Sequence, residues 1–151
     1  MVQEQDRMLL AFLIQERLFA FGRAVDSKRF SDLTETFAAD AGGDYGEGRS
    51  VSTCKELIAA MEHNLGSGSN CGASQHNILN VQVTVDANGG TASKANFYAV
   101  HEGLGRLKGQ LWSTWGEYHD SWVLTPDGWR ISFRRYVTLF SQGPAEIVTR
   151  D

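Results

Sequence analysis

The chain has 151 residues, 42% hydrophobic and 21% charged, which suits one folded domain with a core of its own and excludes a disordered chain. Fourteen Lys plus Arg against 18 Asp plus Glu give a net charge of −4, so there is no basic stripe for nucleic acid. No apolar run approaches a bilayer span, the opening Met1–Arg7 is polar unlike a secretory leader, and the two cysteines, Cys54 and Cys71, make no disulfide framework; a reduced cytoplasmic setting is expected.

The first half reads as helical. Leu10, Ile14, Leu18, Phe21 and Val25 recur at spacings of four, four, three and four, the stripe of an amphipathic helix from about Asp6 to about Val25. Ser31 caps a short second helix, with Asp32 in its first turn and Leu33 and Phe37 on its buried face. The Gly-rich stretch 41–48 reads as a loop with at most a short strand. Thr53 and Glu56 form a capping box for a third helix carrying Leu57, Ile58, Met61 and Leu65, stopped at Gly66.

The second half changes period. After a loop over 66–74, residues 75–86 alternate, with Leu79, Val81, Val83 and Val85 on one face and Asn80, Gln82 and Thr84 on the other. Turns at 87–90 and 125–128 separate further strands over about 91–102, 110–124 and 129–140. The second of these four strands puts Ala95, Phe97, Ala99 and His101 on one face. The fourth puts Trp129, Ile131, Phe133, Val137 and Leu139 together. Three helices followed by long antiparallel strands is an α+β pattern. A curved, mostly antiparallel sheet closed by three N-terminal helices makes a conical pocket, and such pockets are apolar with a few convergent polar groups. No repeat or linker divides the chain, so residues 1–151 read as one domain.

Several residues stand out against this pattern. Arg135 interrupts the apolar face of the last strand; either a bulge returns it to water, or a buried guanidinium finds a partner. Asp26 follows the helical stripe, where the macrodipole disfavours an acid; it is either a solvated helix end or a functional carboxylate. His101 shares the Phe97 face and points to a cavity, whereas the parity of His76 leaves its direction open. A lone His is commonly structural, yet it is the side chain suited to proton transfer near neutral pH. A carboxylate at its far nitrogen would fix the tautomer. The four histidines lack metal-ligand spacing, and no phosphate-binding glycine motif occurs, so no metal or cofactor is called for. Trp112, Trp115, Trp122 and Trp129 serve the core, the pocket wall or an interface between subunits.

These features together resemble the SnoaL-like family of the nuclear transport factor 2-like superfamily. The residues carrying the resemblance are Arg23-Ala24-Val25-Asp26, Phe30-Ser31-Asp32-Leu33, Phe37-Ala38-Ala39-Asp40, Ser74-Gln75-His76-Asn77-Ile78 and Asp127-Gly128-Trp129-Arg130-Ile131. The chain is similar to a branch that includes scytalone dehydratase, bile-acid 7α-dehydratase and hexachlorocyclohexane dehydrochlorinase. The resemblance implies a cofactor-independent lyase or isomerase with His76 as base, Asp26 as its partner, and Tyr45 and His101 completing the catalytic set. Phe21, Phe97, Trp115 and Arg135 are then expected to bind a small hydrophobic cyclic substrate. Phe21 and Val25 stand where the dehydratases carry a further tyrosine. The resemblance also implies a homodimer or homotrimer joined through the sheet. Three alternatives remain: a polyketide or terpenoid cyclase on the same fold using the same pair, a non-catalytic small subunit of a ring-hydroxylating dioxygenase, and a ligand-binding protein with an inert pocket.

Overall fold

A computed structural model describes residues 4–150; the first three residues of the polar N-terminal stretch lie outside it. Helix α1 (Glu4–Asp26) buries Ile14, Leu18, Phe21 and Val25, the stripe its sequence predicts. The second predicted helix is a single 3-10 stretch, Phe30–Glu35. Phe37 is not on it but opens strand β1 (Phe37–Asp44). Half of the glycine-rich segment, 41–44, is therefore strand, followed by a short β2 (Ser50–Val51). Helix α2 (Cys54–Leu65) is capped by the Thr53 hydroxyl, which accepts from the Glu56 N–H. The Glu56 carboxylate reaches back to the Ser52 N–H at 2.7 Å rather than to that of Thr53.

Four long strands follow: β3 (Cys71–Val85), β4 (Thr91–Gly103), β5 (Leu111–Thr125) and β6 (Gly128–Gln142). They complete a six-stranded mixed sheet in the order β2-β1-β6-β5-β4-β3. Only the β1–β6 pair is parallel. The sheet curves around α1 and α2, and a final 3-10 stretch, Ala145–Val148, crosses back with Ile147 fully buried.

Two of the sheet's four bulges in the long strands overturn the simple alternation at the site. In β3, Leu79 pairs with Asn96 but Gln82 pairs with Lys94, so one extra residue is inserted where Asn80 takes a φ of 52°. An extra residue exchanges the two faces of a strand beyond it. His76 and Ile78 face inward before the bulge, and Val81 and Val83 after it, while Leu79 is left exposed. In β6, Trp122 pairs with Ile131 but Ser121 pairs with Phe133, leaving Ser132 as the extra residue. Ile131 therefore faces the core, Phe133 is 44% exposed, and Arg134 is wholly buried. The apolar face drawn from simple alternation, with Phe133, Val137 and Leu139 inside, does not form.

Candidate active site

Asp26 ends α1 where the helix lies against β3. Gly22 allows this approach: a Cβ there would stand 3.1 Å from the His76 carbonyl oxygen and 3.2 Å from Ile78 Cδ1. Because β3 is an edge strand, it presents N–H groups that the sheet leaves unpaired. Asp26 Oδ2 accepts the His76 N–H at 2.9 Å. Its Oδ1 accepts from the Ser74 hydroxyl at 2.9 Å and contacts His76 Nδ1 at 2.7 Å. These bonds offset the unfavourable end of the helix dipole. Burial pushes the Asp26 carboxyl up, but the His76 ring and backbone bonds, the imidazole charge and the Ser74 hydroxyl outweigh it and hold the carboxyl below its usual range.

An ionised carboxylate only accepts hydrogen bonds, so Nδ1 of His76 carries a proton, and in the neutral ring the lone pair stands on Nε2. The imidazole lines a cavity of about 400 Å³ between the sheet and the helices. Its ring meets Phe21 edge-on at 6.2 Å and His101 at 5.1 Å. His101 is buried on β4 and its Nδ1 donates to the Trp112 carbonyl at 3.3 Å. Burial, then the neighbouring His76, pushes its pKa down to about 4. His101 is therefore a neutral imidazole near neutral pH, with an acceptor nitrogen and no acidic proton to give to a substrate.

Tyr45 follows β1 and folds back over Gly43, where a Cβ would stand 2.7 Å from its ring. The phenol packs beside Tyr136 and lines the same cavity. Burial pushes its pKa up to about 12, against the pull of the Arg134 charge. Phe21 and Phe97 also line this cavity. Gly116 makes room for the Phe97 ring, since a Cβ there would come within 2.6 Å of it.

Two expected pocket residues lie elsewhere. Trp115 has the outward parity of β5, where it stacks between Tyr98 at 4.9 Å and Phe140 at 4.7 Å; Trp112 lines the cavity instead. Arg135 opens on an outer groove with Lys94, His119 and Phe133. The Ser132 bulge gives the inward place to Arg134. Its guanidinium forms a two-pronged bond with Asp120, both contacts 2.8 Å, and lies 3.9 Å from the Tyr118 ring centroid and 4.5 Å from that of Phe21. Burial alone would lower the pKa of Arg134, but the Asp120 carboxylate raises it above its usual value. Sequence reasoning missed Asp120, although a signal existed: it alternates with Tyr118 and Trp122, an acid on an aromatic face.

Three buried polar atoms on this cavity have no hydrogen-bond partner among the described residues: Tyr45 Oη, Arg134 Nη1 and Thr114 Oγ1. Buried polar groups are rarely left so. Among the described residues no group of three or more His, Cys, Asp or Glu side chains is arranged to hold a metal ion.

The family of SnoaL-like domains matches residues 13–135 of this chain. No curated protein matches it. Among solved structures, a protein of Novosphingobium aromaticivorans provisionally assigned as a scytalone dehydratase is 15% identical, with 94% of this chain and 92% of that one covered at a TM-score of 0.83. The hexachlorocyclohexane dehydrochlorinase LinA-type3 of Novosphingobium barchaimii is 12% identical, with 95% of each chain covered at 0.79. ActVI-ORFA of Streptomyces coelicolor is 13% identical, with 86% and 97% covered at 0.72. At these identities the structures share the fold.

Proposed function

Because the chain belongs to the family of SnoaL-like domains, we propose that it is a cofactor-independent lyase that removes a proton from carbon and expels a neighbouring hydroxyl from a small hydrophobic ring. The observation that carries this reading is the 2.7 Å contact between Asp26 and His76 Nδ1, which leaves Nε2 free on a cavity lined by aromatic and polar side chains.

The substrate is a cyclic β-hydroxy ketone. His76 Nε2 takes the proton from the carbon beside the carbonyl. The C–H electrons become the new carbon–carbon double bond as the neighbouring C–O bond breaks. The departing hydroxyl takes the proton back from the imidazolium and leaves as water. One base serves both transfers because His101 is neutral and its N–H is committed to Trp112; His101 positions the substrate through its acceptor nitrogen. Asp26 stabilises the imidazolium while it exists. Tyr45 Oη and Arg134 Nη1 donate to the carbonyl oxygen as charge develops on it. Positioned proton transfer contributes about 10²–10⁴-fold, and a preorganised donor about 10²–10³-fold. An isomerase or ring-closing cyclase would use the same pair.

The outer face of the sheet, with the Tyr98–Trp115–Phe140 stack and the exposed Phe133, is the surface we assign to a homodimer or homotrimer. Sedimentation of native protein and of Phe140→Asp tests it: native assembly that the variant dissociates supports the assignment, whereas a native monomer contradicts it. Among the described residues no helix is long and apolar enough to cross a membrane.

The activity is tested with 3-hydroxycyclohexanone, whose elimination product absorbs in the ultraviolet, alongside larger ring hydroxy-ketones. Turnover lost in His76→Ala with the fold retained supports the reading. Undiminished turnover in that variant removes His76 as the base.

A further inference from the structure

The strand register sets His76, Ala99, Thr114 and Ser141 in one row across β3, β4, β5 and β6. Side chains of such a row stand on the same face of a sheet, roughly perpendicular to it. His76 and Thr114 are two strand spacings apart, roughly 10 Å between Cα atoms, and the residue between them is the small Ala99. The small residue leaves a gap between the two side chains. The neighbouring inward positions on β4 are occupied by the larger rings of Phe97 and His101, so Ala99 is the low point of the cavity wall beside the imidazole.

Thr114 lines this cavity, and its hydroxyl is buried with no partner among the described residues. A valine of the same shape would fill the place without that unmet hydrogen bond. We propose that Thr114 is a specificity-determining residue that binds a second oxygen on the substrate ring, on the edge opposite the carbon that gives its proton to His76. The inference rests on the proposed reaction and narrows its substrates. They are rings bearing an oxygen beyond the carbonyl and the leaving hydroxyl, a phenol or a second ring ketone. A threonine hydroxyl both donates and accepts, so it suits either.

The test is binding, so it stands apart from turnover. Phenol and toluene have the same shape and differ in one hydroxyl. Each is titrated into native protein, Thr114→Val and Thr114→Ser while the Ala99 methyl resonance is followed. Thr114→Val is expected to weaken phenol about 3- to 10-fold, the worth of one neutral hydrogen bond, with toluene unchanged and Thr114→Ser restoring phenol. The same valine variant is expected to melt no lower than native protein. Equal losses for both ligands, no loss for phenol, or no perturbation of Ala99 in native protein would overturn the proposal. So would a lower melting temperature, because it would show the hydroxyl satisfied within the protein. Selective phenol binding in a protein that eliminates nothing would leave the subsite standing and the reaction refuted.

Discussion

Asp26 holds His76 at two points, Oδ1 at the ring Nδ1 and Oδ2 at the backbone N–H. One carboxylate thus ties the C-terminus of α1 to the edge strand and fixes the tautomer of the imidazole. Asp26→Asn keeps the shape but offers an amide in place of one oxygen, so the ring loses both its orientation and its counter-charge. Elimination is expected to fall by about 10²–10⁴-fold with the circular dichroism spectrum preserved. Steady-state kinetics and the spectrum check this together.

Gly22 carries a related prediction. Gly→Ala in a helix interior normally stabilises by up to about 1 kcal/mol. Here the new Cβ meets the His76 carbonyl at 3.1 Å, a backbone atom with little freedom to yield. Gly22→Ala is expected to shift α1 off β3 and to reduce turnover at least tenfold while unfolding free energy changes by no more than about 1 kcal/mol. Paired kinetics and urea unfolding decide it.

The buried Asp120–Arg134 pair predicts a non-additive pattern. Removing one partner strands a charge, so Asp120→Leu alone is expected to cost about 3–5 kcal/mol. Replacing both, as Asp120→Leu with Arg134→Met, is expected to cost less than the sum of the single changes. Urea denaturation of the four proteins closes the cycle. Single variants within about 1 kcal/mol of native protein would contradict the buried geometry.

His101 makes stability depend on acid. Its folded pKa of about 4 lies below the ordinary 6.5, so between these values the unfolded chain binds more protons than the folded one. Stability then rises with pH across that window. Its contribution is complete above about pH 6.5 and is lost as pH falls towards 4, by about 3 kcal/mol in total. The lowered Asp26 carboxyl adds a further loss in the same direction at lower pH. Melting temperature followed from pH 7 to 4 is expected to drop in native protein and to flatten over this range in His101→Gln.

The sequence was legible wherever a period ran unbroken. The α1 stripe and the Ala95–His101 face carry no insertion, and both lie buried as their spacing implies. Alternation failed where a strand bulges, because an extra residue has no local signature strong enough to announce itself. Asn80 and Ser132 each reversed the parity beyond them. That is why Arg134, rather than Arg135, reaches the cavity. Trp115 was misplaced for another reason: both faces of β5 are aromatic, so composition could not tell inside from outside. The glycine-rich β1 was hidden because glycine has low strand propensity and its pairing with β6 is long-range. The Asp26–His76 contact was legible only through the family resemblance, since no local pattern links residues fifty positions apart.

Removal of a carbon-bound proton by His76 is read from exchange of the hydrogens beside the carbonyl of 3-hydroxycyclohexanone in D₂O, followed by NMR with native protein and His76→Ala at equal concentration. Native protein is expected to accelerate deuterium incorporation or elimination, and His76→Ala is not. Equal acceleration by both proteins would contradict it.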